Sequence, residues 1–241
     1  MSKLLQGTAQ FVKTPCRRFN HDAWSDFTDT VTPEQSVTVQ LSRGETLHLW
    51  AFPEDLEELV FGHALLELCT PEETPEVSCT APFDYSLNLL SKPPRTFNGP
   101  ELPVLTGEAL LSIMQEFIGT EGKWDSTGCF HRAGAYDPHL NQFAFMVEDI
   151  GRHNCVDRLA AKLYAAEKSP HSYVYVATAR VTASLMGKIS KAGFRAIISK
   201  SAVTTATLAA AEKLGVSLAG FAREKRATVF HDPHGLFSSK G

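Results

Sequence analysis

The sequence predicts an α/β protein: a largely parallel sheet covered by helices on both faces, preceded by a small α+β region. Three observations carry this expectation. Beyond residue 107, short apolar runs alternate with helical segments of amphipathic spacing. Those runs are apolar on both faces, as strands buried between two helical layers must be. Before residue 98 the pattern is one of hairpin signals around a single helix. A chain of 241 residues, 43% hydrophobic and 21% charged, holds enough apolar surface for a packed core and suits one medium domain plus a small one. The expected division is residues 1–98 and 99–241.

Residues 1 to about 30 are polar with scattered aromatics and are expected to form an extended arm. Val37 to Leu41 and Thr46 to Trp50 alternate apolar with polar around a Ser-Arg-Gly-Glu turn, which is a hairpin signal. Pro53 stands at a first helical position, followed by Glu54 and Asp55, where acidic side chains suit the helix dipole. Leu56, Leu59, Val60, His63 and Leu66 then fall on one face of a helix of about four turns. Val77 to Leu90 supplies further strands before a Pro-punctuated loop.

The second region opens with a helix from Gly107 to Ile118. Strands are expected at Phe143 to Val147, Tyr173 to Ala177, Ala196 to Ile198 and Val216 to Phe221, and helices near 154–166, through Leu185 and Ile189, and over 204–214. Gly193 is placed to end the second of these helices. Ala227 to Phe230 reads as a last, antiparallel strand.

No run of about 18 apolar residues exists, so no membrane span is expected. The N-terminus does not read as a secretory signal, and a cytoplasmic location is expected. The five cysteines, Cys16, Cys69, Cys79, Cys129 and Cys155, include no Cys-x-x-Cys pair, and the default for each is a small buried hydrophobe. No nucleic-acid partner is expected either. The formal net charge of −4 conceals an asymmetry: residues 178–241 hold ten Lys and Arg against three carboxylates, a net +7, while the first 177 carry −11. Such a distribution suggests an anionic ligand on the C-terminal part.

In open α/β sheets ligands bind beyond the carboxyl ends of strands, so the residues leaving each apolar run are the informative ones. They are Glu148 to Asn154, with Arg152, His153 and Asn154; Thr178 to Arg180; Ser199 to Thr205; and Phe221, Ala222, Arg223, Glu224, Lys225 and Arg226. Each exit offers a cation and most offer hydroxyls or small residues, the donors a phosphate-bearing ligand requires. The loop Thr127 to Ala133 holds Cys129 and His131 and is expected to approach the same crevice, where a nearby Arg or protonated His would favour the Cys129 thiolate. No GxGxxG follows a strand, no P-loop is present, and the His-x-Glu and Pro-Cys-x-x-Cys pair of zinc deaminases is absent, so metal catalysis is not expected.

The run Glu148-Asp-Ile-Gly-Arg-His-Asn-Cys-Val-Asp157, with Thr127-Gly-Cys-Phe-His-Arg-Ala133 and Leu218-Ala-Gly-Phe-Ala-Arg223, resembles the FdhD family, the formate dehydrogenase accessory sulfurtransferases. Pro53 to Leu59 and Gly62 resemble that family's N-terminal motif, so the match spans roughly residues 35 to 232. The Gly-Arg-His-Asn run is its most specific element. The resemblance implies a small N-terminal domain joined to a three-layer α/β/α, cytidine-deaminase-like domain, as a homodimer. It implies transfer of sulfur from a cysteine desulfurase to the molybdenum bis(molybdopterin guanine dinucleotide) cofactor, bound as cargo before it enters formate dehydrogenase. A guanine nucleotide would serve as a surrogate, and the segment matching Phe221 to Arg226 contacts the cofactor. One departure matters: the stretch from about Leu90 to Leu105, where members carry a Cys-Gly-x-Cys-Gly loop, holds no cysteine. Either another thiol substitutes, with Cys129 the first candidate, or the chain is a non-catalytic cofactor-binding chaperone. An unrelated nucleotide enzyme on the same fold is a third reading.

Overall fold

The structure is a computed structural model and describes residues 10–237. It contains three sheets, of two, four and six strands. Residues 1–9 of the expected N-terminal arm lie outside the described residues; the rest of it is an antiparallel ribbon, β1 (Val12–Asn20) and β2 (Ala23–Val31), closed by a tight turn between Asn20 and Ala23. Its residues are almost all exposed, so burial periodicity left no trace of it in the sequence.

β3 (Gln35–Leu41) and β4 (Thr46–Ala51) form the expected hairpin, and β5 (Thr74–Ala81) and β6 (Asp84–Leu90) complete a sheet in the order β4-β3-β6-β5. Alternation works here as strand geometry requires: Val37, Val39 and Leu41 turn inward together. They pack with Tyr85, Leu87 and the inner face of helix α1 (Leu56–His63), which continues through a π-helical turn at Ala64–Leu68. The helix starts three residues later than expected. Asp55 takes a left-handed conformation, φ 47°, and leaves Pro53 and Glu54 outside it.

The six-stranded sheet has the order β12-β11-β10-β9-β7-β8, with β7 (His131–Asp137), β8 (Gln142–Asp149), β9 (Val174–Ala177), β10 (Ala196–Ser199), β11 (Ser217–Arg223) and β12 (Arg226–His231). Helix α2 (Gly107–Gly119) buries Leu110, Ile113, Met114 and Phe117 against one face. Helices α4 (Arg152–Ala165), α5 (Ala183–Lys191) and α6 (Thr205–Leu214) cover the other through Leu159, Leu163, Leu185, Met186, Ile189 and Ala211. A four-residue helix, α3 (Trp124–Thr127), precedes β7.

The sheet is mixed, which corrects the expectation of a largely parallel one. Only β9-β10 and β10-β11 pair parallel; β7-β8, β7-β9 and β11-β12 are antiparallel. The cause is β7, read from sequence as a loop. Its Arg-Ala-Gly-Ala stretch offers little bulk to mark a strand, yet Arg132 through Tyr136 are all buried. Gly134 is small because Phe143 and Phe117 lie over it, where a Cβ would meet Phe143 at 2.8 Å.

The four-stranded sheet joins this body along the α1–α4 contact. Gly62 permits the close approach, since a Cβ there would fall 1.9 Å from the Asp157 carbonyl oxygen. Arg158, on α4, is buried and donates to the carbonyls of Phe52, Glu54 and Asp55, so it occupies the acceptors of the turn between β4 and α1. A second buried charge, Lys188 of α5, pairs with Asp157 at 2.7 Å, so this one of the ten C-terminal cations is not free to meet an anionic ligand.

Candidate functional site

Strand direction decides where the exits lie. β9, β10 and β11 run parallel, and β8 runs with them because both β8 and β9 oppose β7. The carboxyl ends of β8, β9, β10 and β11 therefore share one edge of the sheet, and β7 begins there, with His131 paired to Asp149.

The first exit is organised by Asp149, which is fully buried. One carboxylate oxygen accepts from the Gly151 amide at 2.9 Å and the Asn154 side-chain amide at 2.8 Å; the other accepts from Arg158 Nε at 2.9 Å. This fold-back places Gly151 at the start of α4, where no side chain caps the helix. A Cβ on Gly151 would fall 2.8 Å from the Asn154 side-chain amide, so a larger residue there would push that amide from its place. The first amides of α4 thus stay available to an anion, beside Arg152. Asn154 itself, expected at the ligand, donates to Asp149 and to the Trp50 carbonyl, which ties the turn to β4.

The second and third exits hold each other. Ser199 Oγ donates to the Ala179 carbonyl and Ser201 Oγ to the Thr178 carbonyl, both at 2.8 Å, so the two serines face the β9 exit and Lys200 stands between them. Thr178 Oγ1 accepts from the Arg132 amide at 3.0 Å and joins β7 to the same corner. A cavity of about 260 Å³ opens here, lined by the polar residues Asp125, His131, Arg132, Thr178, Lys200 and Ser201 and by Ile118, Trp124 and Phe130.

Charge singles out this corner. Burial, then Arg152 and Arg180, hold the His131 imidazole below its ordinary pKa, which places both guanidinium groups within electrostatic reach of the ring. Burial, then Lys188 and Arg152, lower His153 likewise; its Nε2 lies 3.3 Å from Ser184 Oγ. Among the described residues, Arg152, Arg180 and Lys200 have no carboxylate partner. Two larger grooves, of about 600 and 610 Å³, run beside Tyr164, but of their cations Arg95 and Lys191 are paired with Glu167 and Glu67, and Lys168 donates to the Tyr173 hydroxyl, which leaves no cluster of free positive charge there. Volume favours the grooves and unneutralised charge favours the exits. For an anionic ligand the charge decides.

The fourth exit joins this edge only in part. Phe221 adopts φ 51° at a bulge in β11, held by its amide donating to Ser201 O at 3.1 Å, and Arg226 lies over its ring at 5.3 Å. Ala222 turns inward, fully buried with α2, and presents no side chain to a ligand. Arg223, Glu224 and Lys225 are exposed on the turn to β12, and among the described residues no hydrogen bond or ion pair links them to Arg152, Arg180 or Lys200. Sequence reasoning missed Arg132. It is buried on β7, paired with Glu148 at 2.9 Å and donating to the Phe117 and Thr120 carbonyls. An arginine followed directly by the small residues Ala133, Gly134 and Ala135 was the available signal.

The thiols differ sharply in environment. Cys155 is buried under the site, and burial, with Asp149, drives its pKa far above the ordinary thiol range. Burial, with Glu73, pushes Cys69 up to about 11. Cys129 is exposed, two residues before His131, and its Sγ makes no hydrogen bond among the described residues.

A profile of the FdhD/NarQ family matches residues 70–237, most of the chain and every element of this site. The chain belongs to the FdhD/NarQ family. Protein FdhD of Methanocaldococcus jannaschii is 26% identical over 222 residues, covering 90% of this chain and 95% of that one. The sulfur carrier protein FdhD of Saccharolobus solfataricus is 29% identical over 153 residues, which are 63% of this chain and 56% of that relative. A solved structure described as a formate dehydrogenase accessory protein from Desulfotalea psychrophila superposes with a TM-score of 0.79 at 20% identity, covering 94% of this chain and 99% of that one. That likeness establishes the shared fold. Among the described residues no helix of this FdhD/NarQ member is long and apolar enough to cross a membrane.

Proposed function

We propose that this FdhD/NarQ protein is a formate dehydrogenase accessory protein that binds a phosphate-bearing pterin dinucleotide, the molybdenum bis(molybdopterin guanine dinucleotide) cofactor, as cargo at the strand exits. The observation supporting it most directly is the set of three cations without carboxylate partners along one edge of the sheet, Arg152 at the start of α4, Arg180 after β9 and Lys200 after β10. Clustered cations repel one another, and such an arrangement is stabilised by a polyanion that joins them. Guanidinium forks and the uncapped start of α4 suit the oxygens of a diphosphate. The names of the relatives, sulfur carrier protein FdhD, support a role in handling sulfur.

In the full reading a cysteine desulfurase loads sulfur onto this chain, which passes it to the cargo before formate dehydrogenase receives it. Cys129 is the thiol with access to solvent beside the site. A second reading, a cofactor-binding chaperone without covalent chemistry, is favoured by the absence of any Cys-x-x-Cys pair and by the two suppressed thiols, Cys69 and Cys155. Incubation with a cysteine desulfurase and cysteine, followed by intact mass measurement, separates them. One added sulfur atom, lost in Cys129→Ala, supports sulfur transfer through Cys129. No added sulfur, with GDP binding retained in calorimetry, supports the chaperone.

A further inference from the structure

We propose that the groove between α1, α4 and β5 receives a partner protein, through a short segment whose apolar side chains are flanked by Lys or Arg. The groove lies at the far end of α4 from the anion site and does not depend on it. It encloses about 600 Å³, with Phe61, Val77 and Tyr164 half-buried in its wall. The Phe61 and Tyr164 rings meet at 5.2 Å and brace each other. Ala161 and Ala165, one helical turn apart on α4, are too small to fill the space above them. An apolar hollow left open on a folded protein and rimmed by polar groups marks a contact surface.

The rim decides the kind of partner. Among the lining residues Asp55, Glu57 and Glu58 stand against one cation, Arg95. Glu58 is taken by Lys162 at 2.8 Å and Arg95 by Glu167, so neither adds net charge. Asp55 and Glu57 are exposed and form no ion pair among the described residues. Acidic residues at a helix start commonly serve the helix itself, yet Asp55, at φ 47°, makes no capping hydrogen bond. Two free carboxylates beside an apolar hollow complement a cation next to an apolar anchor. The same carboxylates repel nucleic acid and anionic lipid, so a protein segment is the occupant that fits.

Fluorescence anisotropy on the full chain tests this with a short labelled peptide of Leu and Phe flanked by Lys. Two control peptides carry Glu for each Lys, or Ser for each Leu and Phe. The basic apolar peptide should bind about tenfold or more tightly than either control. Ala165→Arg brings bulk and positive charge into the groove from an exposed position, and should weaken that peptide about tenfold or more while GDP affinity and the melting temperature hold. Asp55→Asn together with Glu57→Lys should shift the preference toward the Glu-flanked peptide. Equal binding of the basic apolar and basic Ser peptides, binding indifferent to Ala165→Arg, or no binding below about 1 mM overturns the inference. So does self-association in sedimentation that Ala165→Arg abolishes, which would put a second copy of the chain in the groove. If the wild type fails to bind GDP but keeps the peptide preference, the anion site falls and this inference stands.

Discussion

Two groups of cations sit within a few residues of each other on α4 and its neighbours, and they are treated in opposite ways. At the seam with the four-stranded sheet, Arg158 and Lys188 are buried and fully engaged: Arg158 pairs with Asp149 at 2.8 Å and Lys188 with Asp157 at 2.7 Å. At the strand exits, Arg152, Arg180 and Lys200 form no ion pair with a carboxylate among the described residues, although Asp125 lines the same cavity as Lys200. A charge taken out of water must find an opposite charge or it destabilises the fold, so the seam cations are structural by necessity. Arg180 is exposed and Lys200 half-buried, Arg152 keeps a buried Nε without a hydrogen-bond partner, and all three remain available to a ligand. Proximity in sequence, six residues from Arg152 to Arg158, says nothing about which role a charge takes.

The contrast predicts its largest effect at the seam. Arg158→Ala should cost about 3–5 kcal/mol in urea unfolding, because Asp149 is left buried without its partner. A smaller loss would mean that the Gly151 and Asn154 contacts suffice to hold that carboxylate. Gly62→Ala strikes the same seam through shape and should cost about 1–3 kcal/mol, since the new methyl overlaps the Asp157 carbonyl unless α1 moves away from α4.

Most elements were legible because they obey the periodicities that burial imposes. α2, the β3-β4 hairpin and the alternation from β8 to β11 all follow apolar spacing to within a residue or two. The elements that were misread lack that signal for identifiable reasons. The β1-β2 ribbon has almost no buried residues to set a period, and β7 is built of Ala and Gly that fit under Phe143 and Phe117. Missing β7 turned a mixed sheet into a parallel one, yet the shared edge of the exits survived, because β8 still runs with β9. The site was legible as a set of charges after strands. What sequence could not supply was which charges are neutralised: Asn154 is consumed by Asp149 and Trp50, and Ala222 points into the core.

The exits should respond to conditions that leave the seam alone. Raising ionic strength from about 0.05 to 0.5 M should weaken pyrophosphate binding about tenfold, whereas the unfolding free energy, set by buried pairs, should change little. The smallest effect is a matter of pH. Burial, Arg152 and Arg180 hold His131 below its ordinary pKa in the free protein. An anion at the site opposes that shift, so the bound state takes up a proton and affinity should rise about two- to fivefold as pH falls through and below 6.5. Stability of the free protein runs the other way. The unfolded chain protonates His131 first, so stability is full above 6.5 and declines as pH drops toward the lowered value. Pyrophosphate titrations of wild type and His131→Gln across this window check the sign, with the ligand's own protonation cancelling between them.

The most direct measurement is a calorimetric titration of GDP into the wild-type chain and into a variant with Arg152→Ala, Arg180→Ala and Lys200→Ala together, each paired with a thermal melt. Binding by the wild type, weakened about a hundredfold or more in the variant with the melting temperature held within a few degrees, is the predicted result. A variant that binds GDP as tightly as the wild type would show that these three charges hold no ligand, and would contradict the account.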